Sequence, residues 1–281
     1  MKVLITGANG QLGRSLVELL TAMGIEVIPT GRDVMDITSW EQCREHFLQH
    51  RPDAVIHGAA YTAVDRAEAE PDEAYRVNAA GTRNVAAAAE LVGAKCCVIS
   101  TDYVFDGTAS TPYREFDPPN PRTIYGRTKL AGEQLAASLS SRWFIVRTAW
   151  LYGPGGQNFV ETMLKLAAER EHIDVVHDQL GCPTHTADLA RFLAELIQTE
   201  HYGLYHAANA GSCSWYEFAS AIMEETGLPA QIHPCTTAEF PRPAPRPGYS
   251  VLDAMAIRAN GFAPLPPWRQ GLKDYLAARR K

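Results

Sequence analysis

The chain has 281 residues, of which 46% are apolar and 21% charged, a composition typical of a globular protein with one large domain or two modest ones. It carries 26 Lys and Arg residues against 32 Asp and Glu residues, which gives a net charge of −6. Proteins that bind nucleic acid backbones usually carry a basic surplus, so this charge argues against nucleic-acid binding. No uninterrupted apolar run approaches about 18 residues, which argues against a membrane span.

The cysteines, histidines and N-terminus indicate a cytoplasmic protein without a metal site. None of the six cysteines forms a CxxC pair, and Cys96 and Cys97 lie within an apolar run, so we expect buried, reduced thiols. His46 and His50 are four residues apart but lack a third candidate ligand. The apolar run before the first glycine, Val3–Ile5, is too short for a secretory signal.

Short apolar runs alternate with helix-like stretches along the first 150 residues. The predicted strands are Lys2–Thr6, Glu26–Thr30, Ala54–His57, Lys95–Ser100 and Trp143–Arg147. The predicted helices are Gly13–Met23, Ser39–Gln49, Asp72–Leu91 and Arg127–Leu139. Because the runs lack polar alternation, we expect strands that are buried on both faces of a parallel sheet. The alternation predicts an α/β fold with a doubly wound parallel sheet.

A glycine-rich turn follows the first predicted strand and precedes the first predicted helix. Gly7, Gly10 and Gly13 let the backbone turn tightly, approach a pyrophosphate and pack the helix against the strand. The start of the helix offers free N–H groups to the phosphates. In this position the motif predicts dinucleotide binding by a Rossmann-type sheet.

The end of the second predicted strand indicates which dinucleotide binds. The segment Thr30–Asp33 holds an acidic residue, which suits a ribose 2′-hydroxyl, and Arg32, which suits a 2′-phosphate. Arg32 favours NADPH, while NADH stays open. Asp36 and Ile37 are expected beside the adenine, with an ordinary cap of the next helix as the alternative.

Tyr125 and Lys129 are four residues apart, a spacing that places two side chains on one helical face. An ammonium group beside a phenol lowers the phenol's pKa from about 10, which makes the tyrosine a proton donor or acceptor. Two surface residues at a common spacing are the alternative. The pair gains weight because the preceding strand ends at Ser100 and Thr101, whose hydroxyls lie at the sheet edge where open α/β folds bind ligands.

Beyond residue 150 the pattern becomes irregular, and prolines cluster at 229–247 and 264–267. We predict that residues 1–150 form an NAD(P)-binding domain, completed by a return helix and strand at about 185–208. Residues 151–184 and 209–281 are predicted to form a smaller, interleaved substrate-binding lobe. Trp150, just past a strand at the carboxyl edge, is expected in the pocket. For Trp215 the core of the lobe is favoured, with the pocket wall as the alternative.

These motifs together resemble the extended short-chain dehydrogenase/reductase superfamily. The resemblance is carried by the glycine turn, Thr101 and the spacing of Tyr125 and Lys129. More narrowly, the chain resembles the dTDP-4-dehydrorhamnose reductase family over nearly its whole length. The segments that carry this narrower resemblance are 100–107, 125–133, 147–152, 158–166, 178–184 and 246–248.

The resemblance implies an enzyme that uses NADPH or NADH to reduce the C4 keto group of dTDP-4-dehydro-6-deoxy-L-mannose, also called dTDP-6-deoxy-L-lyxo-4-hexulose, to dTDP-L-rhamnose. Tyr125 would be the general acid, Lys129 would bind the nicotinamide ribose and tune Tyr125, and Thr101 would polarise the keto oxygen. The implied cofactor-binding residues are Gly7, Asn9, Gly10, Gln11, Leu12, Gly13, Arg32, Asp36, Ile37, Ala59, Ala60, Tyr61, Thr62, Asn78, Tyr125 and Lys129. The implied residues for the dTDP-sugar substrate are Thr101, Asp102, Tyr103, Trp150, Asn158 and Arg246.

Several other functions share this scaffold. Sugar-nucleotide 4,6-dehydratases place an Asp-Glu pair after the threonine, and the second carboxylate is absent from Thr101-Asp102-Tyr103, which argues against dehydration. A regulatory subunit of methionine adenosyltransferase resembles the same family and stays open, because such subunits can retain the Tyr125 and Lys129 pair. A reductase of another nucleotide sugar, or an epimerase, also stays open. The sequence leaves the oligomeric state undecided and allows a homodimer.

Overall fold

The computed structural model describes residues 1–279, so Arg280 and Lys281, the last residues of the predicted segment 209–281, lie outside the described residues. Six strands of the described chain form a parallel sheet. They are β1 (Lys2–Thr6), β2 (Glu26–Thr30), β3 (Ala54–His57), β4 (Lys95–Thr101), β5 (Trp143–Thr148) and β10 (Gly203–His206). Their spatial order is β10-β5-β4-β3-β1-β2. β2 and β3 therefore lie on opposite sides of β1, and the strand order reverses between β1 and β3, which is the position where open α/β sheets bind ligands.

Helices and shorter strands surround this sheet. The helices are α1 (Gln11–Ala22), α2 (Trp40–His50), α3 (Val64–Ala69), α4 (Pro71–Tyr75), α5 (Thr82–Val92), α6 (Ile124–Leu139), α7 (Phe159–Glu169), α8 (Thr186–Leu196), α9 (Trp215–Thr226), α10 (Met255–Ala259) and α11 (Trp268–Arg279). The shorter strands are β6 (Leu151–Tyr152), β7 (His172–Val176), β8 (Leu180–Gly181), β9 (Thr184–His185), β11 (Cys213–Ser214) and β12 (Gln231–Cys235). They pair as β6 with β9, β8 with β11, and β7 with β12. Across residues 1–279, none of these helices is both long and apolar enough to cross a bilayer.

The two faces of the central sheet pack against different helices. Val3 and Ile5 of β1 belong to a cluster with Leu16 of α1 and Leu193 of α8. Leu4 belongs to a cluster on the opposite face, with side chains from α2 and α5. Since successive side chains of a strand point to opposite faces, helices cover both sides of the sheet. This arrangement confirms the predicted α/β fold with a Rossmann-type, doubly wound parallel sheet.

β2 departs from the expectation of strands buried on both faces. It lies at the edge of the sheet, where Glu26 and Pro29 are exposed. A proline is tolerated there because an edge strand has N–H groups that need no partner strand. The inner strand β3 is fully buried, as predicted.

The predicted helix Asp72–Leu91 is divided into α4, a π-helical segment (Arg76–Gly81) and α5. A Cβ atom at Gly81 would lie 2.8 Å from the side chain of Ile37, so glycine permits a close approach of this segment to the loop after β2. Short π-helical segments often accompany functional sites. Here the segment carries Asn78, whose side chain is hydrogen-bonded to the loop after β3 and to α6.

A second hydrophobic cluster lies outside the central sheet, between α7, α9, α11 and β7. Its centre includes Met163, Phe218, Ile222 and Leu272, all buried. α9 begins with a capping box, in which the side chain of Ser214 and that of the third helical residue each cap the other's backbone N–H. Between β9 and β11 the chain returns to the central sheet, where α8 packs on one face and β10 pairs with β5.

All six cysteines are free thiols. Five are buried, and burial raises the pKa of Cys96 to about 12, so this thiol is protonated and unreactive at neutral pH. Cys235, at the end of β12, is only half-buried, which differs from the expectation of buried cysteines throughout.

Candidate functional site

A cavity of about 1030 Å³ opens at the carboxyl ends of β1 to β5. It runs from the glycine turn after β1 to the residues that follow β4 and β5. Most of the predicted site residues line it. They are Gly7, Gly10, Gln11, Leu12, Gly13, Arg32, Asp36, Ile37, Ala59, Ala60, Tyr61, Thr62, Thr101, Asp102, Tyr103, Tyr125, Lys129 and Trp150.

The turn between β1 and α1 fits the pyrophosphate of a dinucleotide. Gly7 has a φ of 68°, and a Cβ atom at Gly13 would lie 2.3 Å from the carbonyl oxygen of Gly7, so side chains are excluded at both positions. α1 begins after Gly10, and within residues 1–279 no side chain caps its first turn and no acidic residue lies there. The N–H groups of that turn therefore stay available to an anion.

Two arginines line the end of the cavity where the adenosine ribose is expected, and sequence reasoning found only Arg32. The second, Arg76, donates to the hydroxyl of Thr38 at 3.2 Å. The backbone N–H of Thr38 is the main cause that lowers the pKa of Asp36, and the positive charges of both arginines add to it. α2 is capped by Ser39 rather than by Asp36, so the alternative interpretation of Asp36 as a helix cap is wrong.

Asn9, which is exposed, and Asn78, which is buried, are predicted site residues that do not line the cavity. Asn78 is buried; its Oδ1 accepts from the backbone N–H of Tyr61 at 2.8 Å, and its Nδ2 donates to Thr128 Oγ1 at 2.9 Å. It therefore ties the loop after β3 to α6. The side chain of Asn9 lies beside Gly31, where an added Cβ atom would be 2.7 Å from the Asn9 Nδ2.

The first turn of α6 packs directly on the turn that follows β4. The hydroxyl of Thr123 caps the helix by accepting from the N–H of Gly126 at 3.0 Å. A Cβ atom at Gly126 would lie 2.1 Å from the carbonyl oxygen of Tyr103, so only glycine allows this approach. The ring of Tyr125 meets the ring of Tyr103 edge to face, with centroids 5.6 Å apart.

The protonation of Tyr125 differs from the sequence-based expectation. Burial raises the pKa of Tyr125 to about 12, an increase that the contact with the Thr101 hydroxyl only partly offsets. Burial also lowers the pKa of Lys129 to about 8, and its Nζ donates to the carbonyl oxygen of Ile99 at 2.6 Å. Desolvation therefore shifts the pKa of Tyr125 in the direction opposite to the one expected from the ammonium group, and Tyr125 is a protonated phenol at neutral pH. That is the form a general acid requires.

Thr101 is engaged by Asp102. Its hydroxyl donates to Asp102 Oδ1 at 3.0 Å and accepts from the N–H of Tyr103 at 3.2 Å. Burial raises the pKa of Asp102 to about 6, although the nearby hydroxyls of Ser250 and Thr101 act in the opposite direction. The single hydroxyl proton of Thr101 therefore has a carboxylate acceptor already in place.

Trp150 lies in the cavity wall in a left-handed backbone conformation, with a φ of 47°. Its indole stacks on that of Trp215, which also lines the cavity. A Cβ atom at Gly181 would lie 2.4 Å from the Trp150 ring, so glycine makes room for it. Trp215 packs on the second hydrophobic cluster as well, so it combines the favoured position in the core with the alternative position in the pocket wall.

Asn158 and Arg246 are not among the residues that line the cavity. Asn158 caps α7 and donates to Gln11 Oε1 at 3.0 Å, which links α7 to the glycine turn. Arg246 donates to Asp65 Oδ2 at 2.8 Å. Burial raises the pKa of Tyr103, and the positive charge of Arg246 acts against that increase, so the guanidinium group lies near this ring.

The histidines form no cation site in the described part of the chain. The rings of His46 and His50 on α2 lie 4.4 Å apart at a tilt of 56°, and burial is the main cause that lowers the pKa of His46. Among residues 1–279, no group of three or more His, Cys, Asp or Glu side chains is arranged to hold a metal ion.

Known proteins are similar to this chain over its whole length. A family model described as the RmlD substrate binding domain matches residues 1–281. The spore coat polysaccharide biosynthesis protein SpsK of Bacillus subtilis (strain 168) is 47% identical over 278 residues, which cover 99% of this chain and 98% of that protein. The crystal structure of a dTDP-4-dehydrorhamnose reductase from Clostridium acetobutylicum ATCC 824 is 48% identical, with a TM-score of 0.98 and full coverage of both chains.

A dTDP-4-dehydrorhamnose reductase from Bacillus anthracis str. Ames, solved in complex with NADP, is also 48% identical. Its TM-score is 0.97, and the match covers 99% of each chain. These similarities confirm the resemblance that the sequence motifs indicated. The chain belongs to the family of the RmlD substrate binding domain.

Proposed function

We propose that this protein reduces the C4 keto group of dTDP-4-dehydro-6-deoxy-L-mannose to give dTDP-L-rhamnose, with NADPH or NADH as the reductant. The observation that carries the proposal is the meeting of Tyr125, Lys129 and Thr101 in one cavity wall, at the far end of a cavity that begins at the glycine turn. Proteins 48% identical to this chain are named dTDP-4-dehydrorhamnose reductase, and one of them was solved with NADP. Those names favour the reductase over the regulatory-subunit alternative.

The cofactor fits the residues present. The glycine turn and the first turn of α1 would hold the pyrophosphate, and Lys129 would bind the nicotinamide ribose. Arg32 at the ribose end favours a 2′-phosphate, and therefore NADPH. Arg76 lies at the same end and would reach a 2′-phosphate only by giving up part of its pairing with Glu73, to which it donates at 2.7 and 2.8 Å. The dihydronicotinamide, when bound, supplies the hydride that C4 receives.

Tyr125 would supply the proton. As C4 receives the hydride, the C4 oxygen takes the hydroxyl proton of Tyr125, so the carbonyl becomes an alcohol and a tyrosinate remains. Lys129 lies one helical turn further along the same face, and its ammonium group stabilises that tyrosinate until solvent returns a proton. The raised pKa of Tyr125 keeps the phenol protonated before the reaction.

Thr101 would polarise the keto oxygen by donating a hydrogen bond to it from its hydroxyl group. Because the hydroxyl proton is directed at Asp102 Oδ1, the hydroxyl must turn from the carboxylate to the substrate. The backbone N–H of Tyr103 still holds the oxygen of Thr101 during this rotation. Asp102 and Tyr103 would then contact the hexose, in the part of the cavity next to Trp150.

We also propose a division of labour between two parts of the chain. Residues 1–150 together with 185–208 would bind the cofactor, whereas 151–184 and 209–281 would bind the sugar nucleotide. The separate hydrophobic cluster around α7, α9 and α11 supports this division, as does the position of Trp215 in the cavity wall. Asn158 and Arg246 would lie near the pyrophosphate of the substrate, as the family resemblance implies.

A cytoplasmic location and a homodimer are proposals that rest on the sequence. The buried thiols suit a reducing compartment, and cell fractionation tests the location. Sedimentation of the purified protein tests the homodimer.

Turnover tests the proposed reaction. The purified protein is mixed with NADPH and the keto-sugar, and we expect loss of absorbance at the NADPH band together with formation of dTDP-L-rhamnose. Tyr125→Phe should lower kcat by about 10²-fold or more, in line with general-acid contributions. Tyr75→Phe, at an exposed tyrosine of α4, should have no effect and serves as the control. Absence of turnover with this sugar, or retention of NAD(P) through purification with interconversion of two sugars, would contradict the proposal and favour a binding role or an epimerase.

A further inference from the structure

A buried ion pair joins α6 to β5 beside the candidate catalytic residues. Arg147 binds Glu133 through two hydrogen bonds, at 2.9 and 2.7 Å. The side chains of Arg147 and Glu133 are only 4% and 5% exposed. The hydroxyl of Ser100 donates to Glu133 Oε1 at 2.5 Å. Glu133 is therefore tied to the residue that directly precedes Thr101.

Lys129 makes the neighbouring connection. It lies one turn before Glu133 on α6, and its Nζ donates to the carbonyl oxygen of Ile99. Consecutive turns of α6 are thus hydrogen-bonded to consecutive residues, Ile99 and Ser100, at the end of β4. Two such contacts prevent the helix from sliding or rotating against the strand, and this register sets where Tyr125 stands relative to Thr101.

The third guanidinium nitrogen of Arg147, Nη1, also has a hydrogen-bond partner, which is His206. Its Nη1 lies 3.4 Å from Nε2 of His206, and Nδ1 of His206 lies 3.1 Å from the carbonyl oxygen of Tyr113. A carbonyl can only accept, so Nδ1 carries the ring proton and Nε2 accepts from Arg147. Burial lowers the pKa of His206 to about 3, which keeps the ring neutral. A buried pair with its donors and acceptors occupied contributes little net stability, but it specifies one geometry.

We infer that Glu133 and Arg147 are positioning residues of the proposed reduction: they hold α6 against the end of β4 so that Tyr125 and Lys129 meet the keto group at Thr101. The inference rests on the proposed function. Both side chains lie behind the cavity wall, so they act through Ser100, Lys129 and the register of α6 rather than by touching substrate or cofactor.

Among the groups around Lys129, Glu133 affects the pKa of the lysine, so its loss should change the pH dependence of the reaction. Glu133 on the same helix raises the pKa of Lys129 against the effect of burial. His57 of β3 also faces it, but burial lowers the pKa of His57 to about 3, so this ring is neutral. Tyr125 is protonated, and Arg147 of β5 is bound to Glu133. The carboxylate of Glu133 is therefore the charge that favours the protonated form of Lys129.

Glu133→Gln tests the inference. We expect kcat to fall by about 10- to 100-fold with the KM for the keto-sugar within about twofold, because misplaced reacting groups lower the rate of the chemical step. The alkaline limb of the kcat/KM profile should also move to lower pH, because a neutral amide no longer favours protonated Lys129. Glu133→Asp should recover part of kcat and most of the wild-type pH profile. A purely structural role would leave the pH profile in place.

A paired variant covers the case in which Glu133→Gln leaves Arg147 charged and unpaired and the protein fails to fold. Glu133→Gln/Arg147→Met removes both charges and should fold. We expect the double variant to show the same loss of kcat. Asp188→Asn is the matched control, because Asp188 is a buried carboxylate that pairs with Arg191 on α8. It should lower the melting temperature and leave kcat and the pH profile unchanged.

Binding of NADPH, followed by its fluorescence between pH 6 and 10 without any sugar, separates the two proposals. If the wild-type protein turns over no keto-sugar but Glu133→Gln shifts the pH dependence of NADPH binding downward, the proposed function fails and the inference about Lys129 stands. If the wild-type protein is active and the folded single or double variant keeps wild-type kcat and pH profiles, the inference is wrong.

Discussion

The indole rings of Trp150 and Trp215 are stacked with centroids 3.5 Å apart and planes 5° from parallel. Trp150 adopts its left-handed conformation between this partner and Gly181. The two residues are far apart in sequence, yet both pack on the hydrophobic cluster between α7, α9 and α11, and Trp150 also packs on a smaller cluster that includes Val104 and Val251. A rigid apolar surface of this kind suits the apolar face of a deoxyhexose.

Loss of the stacked partner should weaken sugar binding. In Trp215→Leu, Trp150 loses a stacking contact of about 0.5–1.5 kcal/mol, so we expect the KM for the keto-sugar to rise by about three- to tenfold. The Kd for NADPH should not change. Circular dichroism should show loss of the signal that two coupled indoles produce. Trp40→Leu, at an exposed tryptophan of α2, is the control, and an unchanged KM in Trp215→Leu would contradict the role of the stack.

Asp102 should lower stability at neutral pH. Its pKa is raised from 3.8 to about 6 in the folded protein, so the folded state binds more protons than the unfolded state between these values, and stability falls as pH rises through that window. Asp102→Asn removes this cost, and the free energy of unfolding at pH 8 should increase by on the order of 2–3 kcal/mol relative to the wild-type protein. Below about pH 4 the gain should disappear. Denaturant unfolding at pH 8 and pH 4 measures both values.

The pKa of Asp106 is shifted in the opposite direction to that of Asp102, so the same unfolding measurement should give the opposite result. Hydrogen bonds, the largest from Asn120, hold the pKa of Asp106 at about 2, so its contribution to stability is present above about pH 4 and is lost as pH falls. Asp106→Asn should therefore destabilise the protein at pH 8 and much less at low pH. Changes of the same sign in both variants at pH 8 would show that the burial of Asp102 does not control its ionisation.

Lys129 should set the alkaline limit of activity. Since its pKa is lowered to about 8, we expect kcat/KM to fall as the pH rises through this value, because the neutral amine no longer stabilises a tyrosinate at Tyr125. Lys129→Met should be weakly active and lack this limb. Lys165→Met, at an exposed lysine of α7, should retain the wild-type profile. An alkaline limb that persists in Lys129→Met would assign it to another group.

Arg32 and Arg76 should determine the preference for NADPH. Replacement of either residue by alanine removes a positive charge from the ribose end of the cavity, so we expect the Kd for NADPH to rise by about tenfold and that for NADH to change by less than about twofold. The difference should shrink at high ionic strength. Arg44→Ala, at an exposed position on α2, is the control. An equal loss of affinity for both cofactors would indicate that these arginines contact something other than a 2′-phosphate.

Local patterns of the sequence determined much of the fold. The bounds of β1, β2 and β3 follow from short apolar runs, and the turn Gly7–Gly13 follows from the spacing of its glycines, since both depend on neighbours along the chain. The pairing of Tyr125 with Lys129 is equally local, because one helical turn separates them. The division of the helix at 72–91 was missed; this part of the chain packs through Gly81 on Ile37, more than 40 positions earlier, a contact that no local pattern reveals.

Tertiary structure decided which residues meet. The stack of Trp150 on Trp215, the pair of Arg246 with Asp65 and the grip of Glu133 on Ser100 and Arg147 each join separate segments, so no spacing in the sequence reveals them. Burial likewise depends on the finished packing, and it reversed the expected direction of the Tyr125 pKa. By itself, the sequence determined an α/β dinucleotide fold with a Tyr and Lys pair. The folded chain determined how these groups are held, protonated and enclosed, because desolvation and long-range contacts exist only after folding.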